Sequence, residues 1–338
     1  MAKKIKRVKY FTKDKLALIN PENKKLYEKY LKSNIIKNKD VKNTTYKVYA
    51  NYFNHFLVYL AEEWDNIGLY DDEFFENAVD IMEGFMSFCQ DVLHNNKKVI
   101  NTKIAAVSSF YLWSLRRGLV EKHPFDKKLE RMKDADKEQI ISSHYLNDEQ
   151  IAAITEGLKD ESKYDIQDRL IWHIMIDSGN RVGAISKLTL SSLDLENMMF
   201  VGIREKRGYL VEVAFEPDTK KLIEEWLKIR KEKLDGLTVD AFFITKRNGE
   251  YRPMHKSTIQ ERIKKFGYII GIDDFRSHSI RKTRINQIHE ITGDLSFAAE
   301  FANHKSVETT RQSYIRPKTK AELREQLRKF MQQKDKKE

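Results

Sequence analysis

The 338-residue chain has a single cysteine, Cys89, which rules out an intramolecular disulfide. That thiol lies in the apolar run Gly84–Cys89 and reads as a small buried hydrophobe in a reducing cytosol. No run of about 18 apolar residues occurs, so no transmembrane helix and no membrane partner are expected. The first residues are basic with no apolar segment behind them, which is not the pattern of a secretory signal. The sequence contains no Walker phosphate loop, no His-Glu-x-x-His pair and no cysteine–histidine zinc spacing. Neither a cofactor nor a metal is therefore expected. Acids are nearly missing from residues 1–20, where Asp14 alone faces Lys3, Lys4, Lys6, Arg7, Lys9, Lys13 and Lys15. This segment reads as a basic N-terminal arm on DNA or as a solvated tail.

What is present supports folded domains. Hydrophobic residues make up 41% of the chain, enough for packed cores, and the length suits two domains. The net charge of +11 fits an anionic partner such as nucleic acid, or serves solubility alone.

Residues 21–125 carry helical periodicity without strands. Tyr46, Tyr49, Phe53, Phe56, Leu57 and Leu60 follow a cap-like Asn43-Thr44-Thr45, and Phe74, Val79, Ile81, Met82, Phe85 and Met86 make a second set. Asn101-Thr102 is expected to open a third helix, closed near Arg117-Gly118. The spacing predicts an all-α domain. Residues 126–144, rich in Lys, Glu, Arg and Asp, read as an interdomain linker or as a helical extension of the first domain. Residues 145–318 read as an α+β domain. Asn147-Asp148-Glu149-Gln150 forms a capping-box start, a buried helix covers 162–178, and Gly179-Asn180 breaks it to leave Arg181 opening the next helix, 182–188. A strand–turn–strand unit spans 198–215, a helix begins at Pro217, and Asn248-Gly249 marks a turn. His173, in an apolar run, reads as a core histidine. Residues 319–338 form an amphipathic tail with Leu323, Leu327 and Phe330 on one face.

His278 and Arg281 stand three apart, on one face of a helix, and His304 precedes Tyr314 by ten residues. Arginine forks bind phosphate oxygens bidentately, and a tyrosine hydroxyl can act as a covalent nucleophile. Taken one at a time, Arg181 also reads as a surface arginine, His278 and Arg281 as an ordinary helix-face pair, and Tyr314 as a rim aromatic. In order, Arg181 in Gly-Asn-Arg-Val-Gly-Ala-Ile-Ser-Lys-Leu, His278-x-x-Arg281, the Asn-His-Lys-Ser-Val-Glu-Thr-Thr block at His304, and Tyr314 resemble the tyrosine recombinase (phage integrase) family. The resemblance covers roughly residues 140 to 318, and residues 20 to 120 more loosely. The chain departs from the family pattern at Ala184, where an acid is common, and at Ala302-Asn303, where Leu-Gly is usual.

The resemblance implies a mainly α protein: a helical, SAM-like core-binding domain and a catalytic domain with a small β-sheet, closing as a C-shaped clamp on DNA. It implies a site-specific recombinase that cuts and rejoins double-stranded DNA through a 3′-phosphotyrosyl intermediate and a Holliday junction. Tyr314 would be the nucleophile. Arg181, Arg281 and His304 would stabilise the transition state. Lys206, at the hairpin turn, would be the general acid, and His278 would move a proton or orient the phosphate. Lys97, Lys98, Asn101, Lys103, Ser109 and Arg207 are candidate DNA contacts. The expected partners are specific recombination sites, three further copies in a homotetramer whose tail helix docks on a neighbour or on its own domain, and an accessory DNA-bending or directionality factor. The expected setting is a prokaryotic or viral nucleoid in the cytoplasm, in the service of a mobile element. Xer-like dimer resolution, a type IB topoisomerase, a telomere resolvase and a catalytically silent DNA-binding protein are the alternatives.

Overall fold

The computed structural model describes residues 10–37, 45–135, 144–205, 208–304, 306–316 and 319–335. The chain divides into two compact units, Met1–Ile140 and Ile141–Glu338.

In the first unit the described residues form α1 (Lys13–Ala17), α2 (Pro21–Lys37), α3 (Thr45–Glu63), α4 (Asp72–Glu76), α5 (Ala78–Asp91) and α6 (Lys97–Arg116). Aromatic rings fill the space between them. Tyr27 stacks on Phe53 at 3.8 Å, and the Phe110 ring lies within 6.4 Å of Tyr27, Tyr30, Phe53, Tyr70, Tyr111 and Trp113. Helix α6 starts a turn earlier than the sequence predicts, because the Asn96 side chain accepts from Val99 N at 2.9 Å and caps it there. From residue 10 the basic N-terminal segment is part of the packed unit. Phe11 stacks on His55 at 3.6 Å, and Lys15 pairs with Glu62 at 2.8 Å.

The start of the expected linker is held on this unit without forming a helix. Asn101 brackets Met132, donating to its carbonyl at 3.1 Å and accepting from its N–H at 3.0 Å, and Lys97 Nζ donates to Lys133 O at 3.1 Å. Lys103 corrects the sequence reading. It is 1% exposed, with Nζ 3.7 Å from Cys89 Sγ and 5.8 Å from the Tyr52 ring centre, so it offers no surface to DNA. Burial lowers the pKa of this amine and raises that of the Cys89 thiol to about 11.

The second unit runs α7 (Asp148–Gly157), α8 (Ile166–Ser178), α9 (Val182–Ile185), β1 (Leu193–Asp194), β2 (Met199–Arg204), β3 (Leu210–Ala214) and α10 (Pro217–Leu234). It continues with β4 (Ile244–Arg247), β5 (Glu250–Pro253), α11 (Lys256–Ile269), α12 (Ser277–Thr292), α13 (Leu295–Phe301), α14 (Val307–Tyr314) and α15 (Lys320–Asp335). Helix α8 is central, packed by α10, α11, α12 and β3. Both α7 and α8 open with a complete capping box, Asn147 with Gln150 and Asp165 with Asp168. The second box starts α8 four residues later than the periodicity suggests. Strands β1, β2 and β3 form an antiparallel sheet in that order, with a register shift between Phe200 and Ile203. Strands β4 and β5 form a hairpin across Asn248-Gly249, both at positive φ. Trp172, Trp226, Phe200, Phe242 and Phe266 anchor the main core, and a smaller cluster of Ile285, Ile288, Ala298, Ala302 and Tyr314 lies apart from it. Among the described residues, no helix is long and apolar enough to cross a membrane.

Below pH 10.5 Lys103 keeps its proton in the unfolded chain, whereas its lowered pKa releases it earlier in the fold. The folded state therefore gains stability as pH rises toward that value. Lys103→Met is expected to raise stability at pH 7 by roughly 1–3 kcal/mol. The gain should shrink as the pH passes 10.5. Thermal unfolding of both proteins across this range checks it, and a lower midpoint for the variant at pH 7 contradicts it.

Candidate active site

Helix α8 ends at Gly179, whose φ of 61° is the left-handed cap that glycine adopts without strain. A Cβ there would also lie 3.2 Å from the Phe301 ring. The chain then turns through the buried Asn180, whose amide donates to Glu212 O on β3 at 2.9 Å, and delivers Arg181 as the N-cap of α9. Its backbone there is extended, so its side chain projects from the helix start rather than along it.

Arg281, on α12, is 2% exposed. Nη1 donates to Gly179 O at 2.7 Å, Nη2 donates to Ala302 O at 2.6 Å and to His304 Nε2 at 3.0 Å, and Nε lies 3.4 Å from Tyr314 Oη. The guanidinium sits 5.3 Å from the Tyr314 ring centre. Tyr314, the last residue of α14, is 6% exposed and is flanked by the His278 ring at 5.1 Å and the His304 ring at 4.4 Å. One buried arginine thus gathers the ends of α8, α13 and α14. Asn303 takes a φ of 51°, the left-handed turn a glycine would supply, and starts the approach of His304.

The histidine protonation follows from these contacts. An arginine N–H can only donate, so His304 Nε2 accepts, which leaves Nδ1 to donate to Thr310 Oγ1 at 2.7 Å. Burial, with Arg281, Arg181 and His278 nearby, lowers the pKa of His304 to about 4. Desolvation by the surrounding protein, with Lys282, Arg281 and Arg181 nearby, lowers that of His278 to about 4 as well, although much of this residue faces solvent. Both rings are neutral at pH 7. Phosphate arriving between them would push both values up.

Arg181, His278, Arg281, His304 and Tyr314 therefore meet, although they are spread over more than a hundred residues. Lys206 and Arg207 lie outside the described residues. Of the other DNA-contact candidates, Lys98 is exposed, Lys97 and Asn101 hold the segment near Met132, Lys103 is buried, and the Ser109 hydroxyl donates to Ala105 O at 2.7 Å. His173 is lowered in pKa by burial, as a core histidine would be.

Two members were missed by the sequence reading. Thr310 is fully buried and fixes the His304 ring; its place in the Thr-Thr pair was its only signal. Glu205, just before the hairpin turn, accepts from Arg181 Nη1 at 2.9 Å. The carboxylate missing at Ala184, itself fully buried, is thus supplied from a different element.

Removing Arg281 strands two helix-end carbonyls and a histidine, whereas Arg181 is 43% exposed at its side chain. Arg281→Ala is expected to cost roughly 3 kcal/mol of stability and Arg181→Ala less than about 1. Equal urea midpoints for the two variants would contradict this division. A second expectation concerns pH. Each histidine binds a proton in the unfolded chain below 6.5 but in the fold only near 4, so stability should fall as pH drops from 6.5 toward 4. Replacing His278 and His304 by Gln should flatten that fall, and an unchanged slope in acid unfolding curves rules it out.

Residues 144–321 match the family model described as "Phage integrase family". The chain is 26% identical over 220 residues to tyrosine recombinase XerC of Lactobacillus leichmannii, covering 62% of this chain and 70% of the relative. It is also 26% identical over 208 residues to the XerC of Pelobacter propionicus, covering 62% and 65%. Among solved structures, the Tn1549 transposon integrase in complex with circular intermediate DNA is similar at a TM-score of 0.64 with 16% identity, covering 90% of this chain and 98% of that one. A lambda integrase dimer bound to a core site gives 0.63 with 14% identity, covering 88% and 98%. These likenesses carry the fold: mainly helical, with small sheets. With more than half of its residues inside the family match, the chain belongs to the phage integrase family, the tyrosine recombinases, enzymes that break and rejoin DNA.

Proposed function

We propose that this chain is a site-specific recombinase whose nucleophile is Tyr314. The observation that carries the reading is the meeting of the Tyr314 hydroxyl with Arg281 at 3.4 Å, between two neutral histidines and beside Arg181. Tyr314 Oη attacks a DNA phosphorus. The bond to Oη forms as the bond to the 5′-oxygen breaks, leaving a 3′-phosphotyrosyl link. His278 takes or relays the tyrosine proton, and Lys206 gives one to the leaving 5′-oxygen. Arg181, Arg281 and a protonated His304 neutralise the charge that builds on the non-bridging oxygens. A 5′-hydroxyl from a partner strand reverses the step, and two rounds pass through a Holliday junction. The phosphodiester bond energy is kept in the covalent link, so the cycle draws on no nucleotide hydrolysis.

The substrate is double-stranded DNA at specific sites, and the working form is a homotetramer. Leu323 and Leu327 of α15 are exposed, which supports the tail docking on a neighbouring subunit. Integration and excision of a mobile element is the use we assign. The XerC relatives favour a second reading, the resolution of chromosome or plasmid dimers.

The test is a pool of nicked suicide duplexes with a randomised central segment, incubated with the full chain. A covalent protein–DNA band is expected, and sequencing its DNA returns the site. Tyr314→Phe, which loses only the hydroxyl, should fold and bind that DNA yet give no band. A band from the Phe variant removes Tyr314 from the reaction. Supercoil relaxation without exchange would point to a topoisomerase instead, and hairpin ends to a telomere resolvase.

A further inference from the structure

We infer that Glu205 is a positioning residue that sets Arg181 for the scissile phosphate and ties it to the β2–β3 turn. The inference rests on the recombinase reading above. Arg181 caps a helix of only four residues from an extended backbone and makes no capping bond, so its helix does little to orient the side chain. A long, rotamer-rich arginine needs a fixed partner to hold one geometry. The contact that fixes it is the Glu205 carboxylate at 2.9 Å.

The carboxylate is itself well anchored. Glu205 N donates to Tyr209 O at 2.7 Å, Gly208 N donates to Glu205 O at 3.2 Å, and Lys187 Nζ, just past α9, donates to Arg204 O at 2.6 Å. The turn and the arginine's own helix are thus clamped on both sides of the pair. The Glu205 side chain is 12% exposed and Arg181 43%, so the carboxylate forms the inner wall while the outer edge of the guanidinium stays open to an incoming anion. Glu205 Oε1 is buried without a hydrogen-bond partner among the described residues. A half-satisfied buried carboxylate is a poor stabiliser, so its presence here argues for a task in the site.

The test uses the full chain and the nicked duplex recovered in the screen above. Glu205→Gln keeps the size and removes the charge. Single-turnover formation of the covalent band at saturating DNA is expected to slow by about ten- to a hundredfold. DNA affinity in a gel shift should stay within about threefold, because the loss lies in the reacting geometry. Glu205→Asp, which keeps the carboxylate, should retain more rate than Glu205→Gln. A Gln variant that matches the wild type within about twofold sinks this inference and leaves the recombinase reading standing. A Gln variant that cleaves faster overturns it in favour of a carboxylate that occupies the phosphate's place. A wild-type chain that yields no covalent band fails the underlying reading, and this inference with it.

Discussion

The guanidinium of Arg281 is a cation held inside the protein without a carboxylate partner of its own among the described residues. What compensates it is geometry: the carbonyls of Gly179 and Ala302, the ring nitrogen of His304 and the hydroxyl of Tyr314 all converge on its N–H groups. Two of those acceptors are helix-end carbonyls, groups that no helix can satisfy internally. The arginine therefore closes the C-terminal ends of α8 and α13 and fixes where α14 delivers its tyrosine. It can do so only because Gly179 takes a left-handed turn and Ala302 leaves room, with Ile285, Ile288 and Ala298 packed behind. The fold of this half of the unit and the assembly of the site are the same set of contacts.

This coupling explains which parts were legible in the sequence. Features written in neighbouring residues read correctly: the Asn147/Gln150 box, Pro217 opening α10, the Asn248-Gly249 hairpin, and Asn303 standing in for a glycine. The five residues that meet were legible through their order, since a pattern spread along the chain survives even when its spacing is unusual. Boundaries slipped where a cap outside the apolar pattern decided them, as with Asn96 and Asp165. Lys103 was misread because charge alone does not say which face of a helix a lysine occupies, and here the aromatic core left a gap that its stem fills down to Cys89. Glu205 was missed for a different reason. It reaches Arg181 across 24 positions and from another element, and nothing local to either residue encodes that meeting.

The charge state of the site follows from the same geometry. At neutral pH the two histidines are uncharged, so the described residues set Arg181, Arg281 and, beside His278, Lys282 against the one carboxylate of Glu205. A phosphodiester brings one negative charge and would reduce that excess. In the proposed reaction, attack by Tyr314 would add negative charge on the phosphoryl oxygens, and a further donor would help to hold it. A protonated His304 would supply that donor. In the neutral ring Nε2 accepts from Arg281 and cannot donate to anything. An anion in the pocket favours the protonated ring, and a protonated Nε2 must turn from Arg281, which offers only donors, toward the anion, which offers only acceptors. That exchange would also release one N–H of Arg281 for the phosphate. The depressed histidine pKa values thus go with donors held on each other, and under the proposed reaction an arriving phosphate would supply the charge that redirects them.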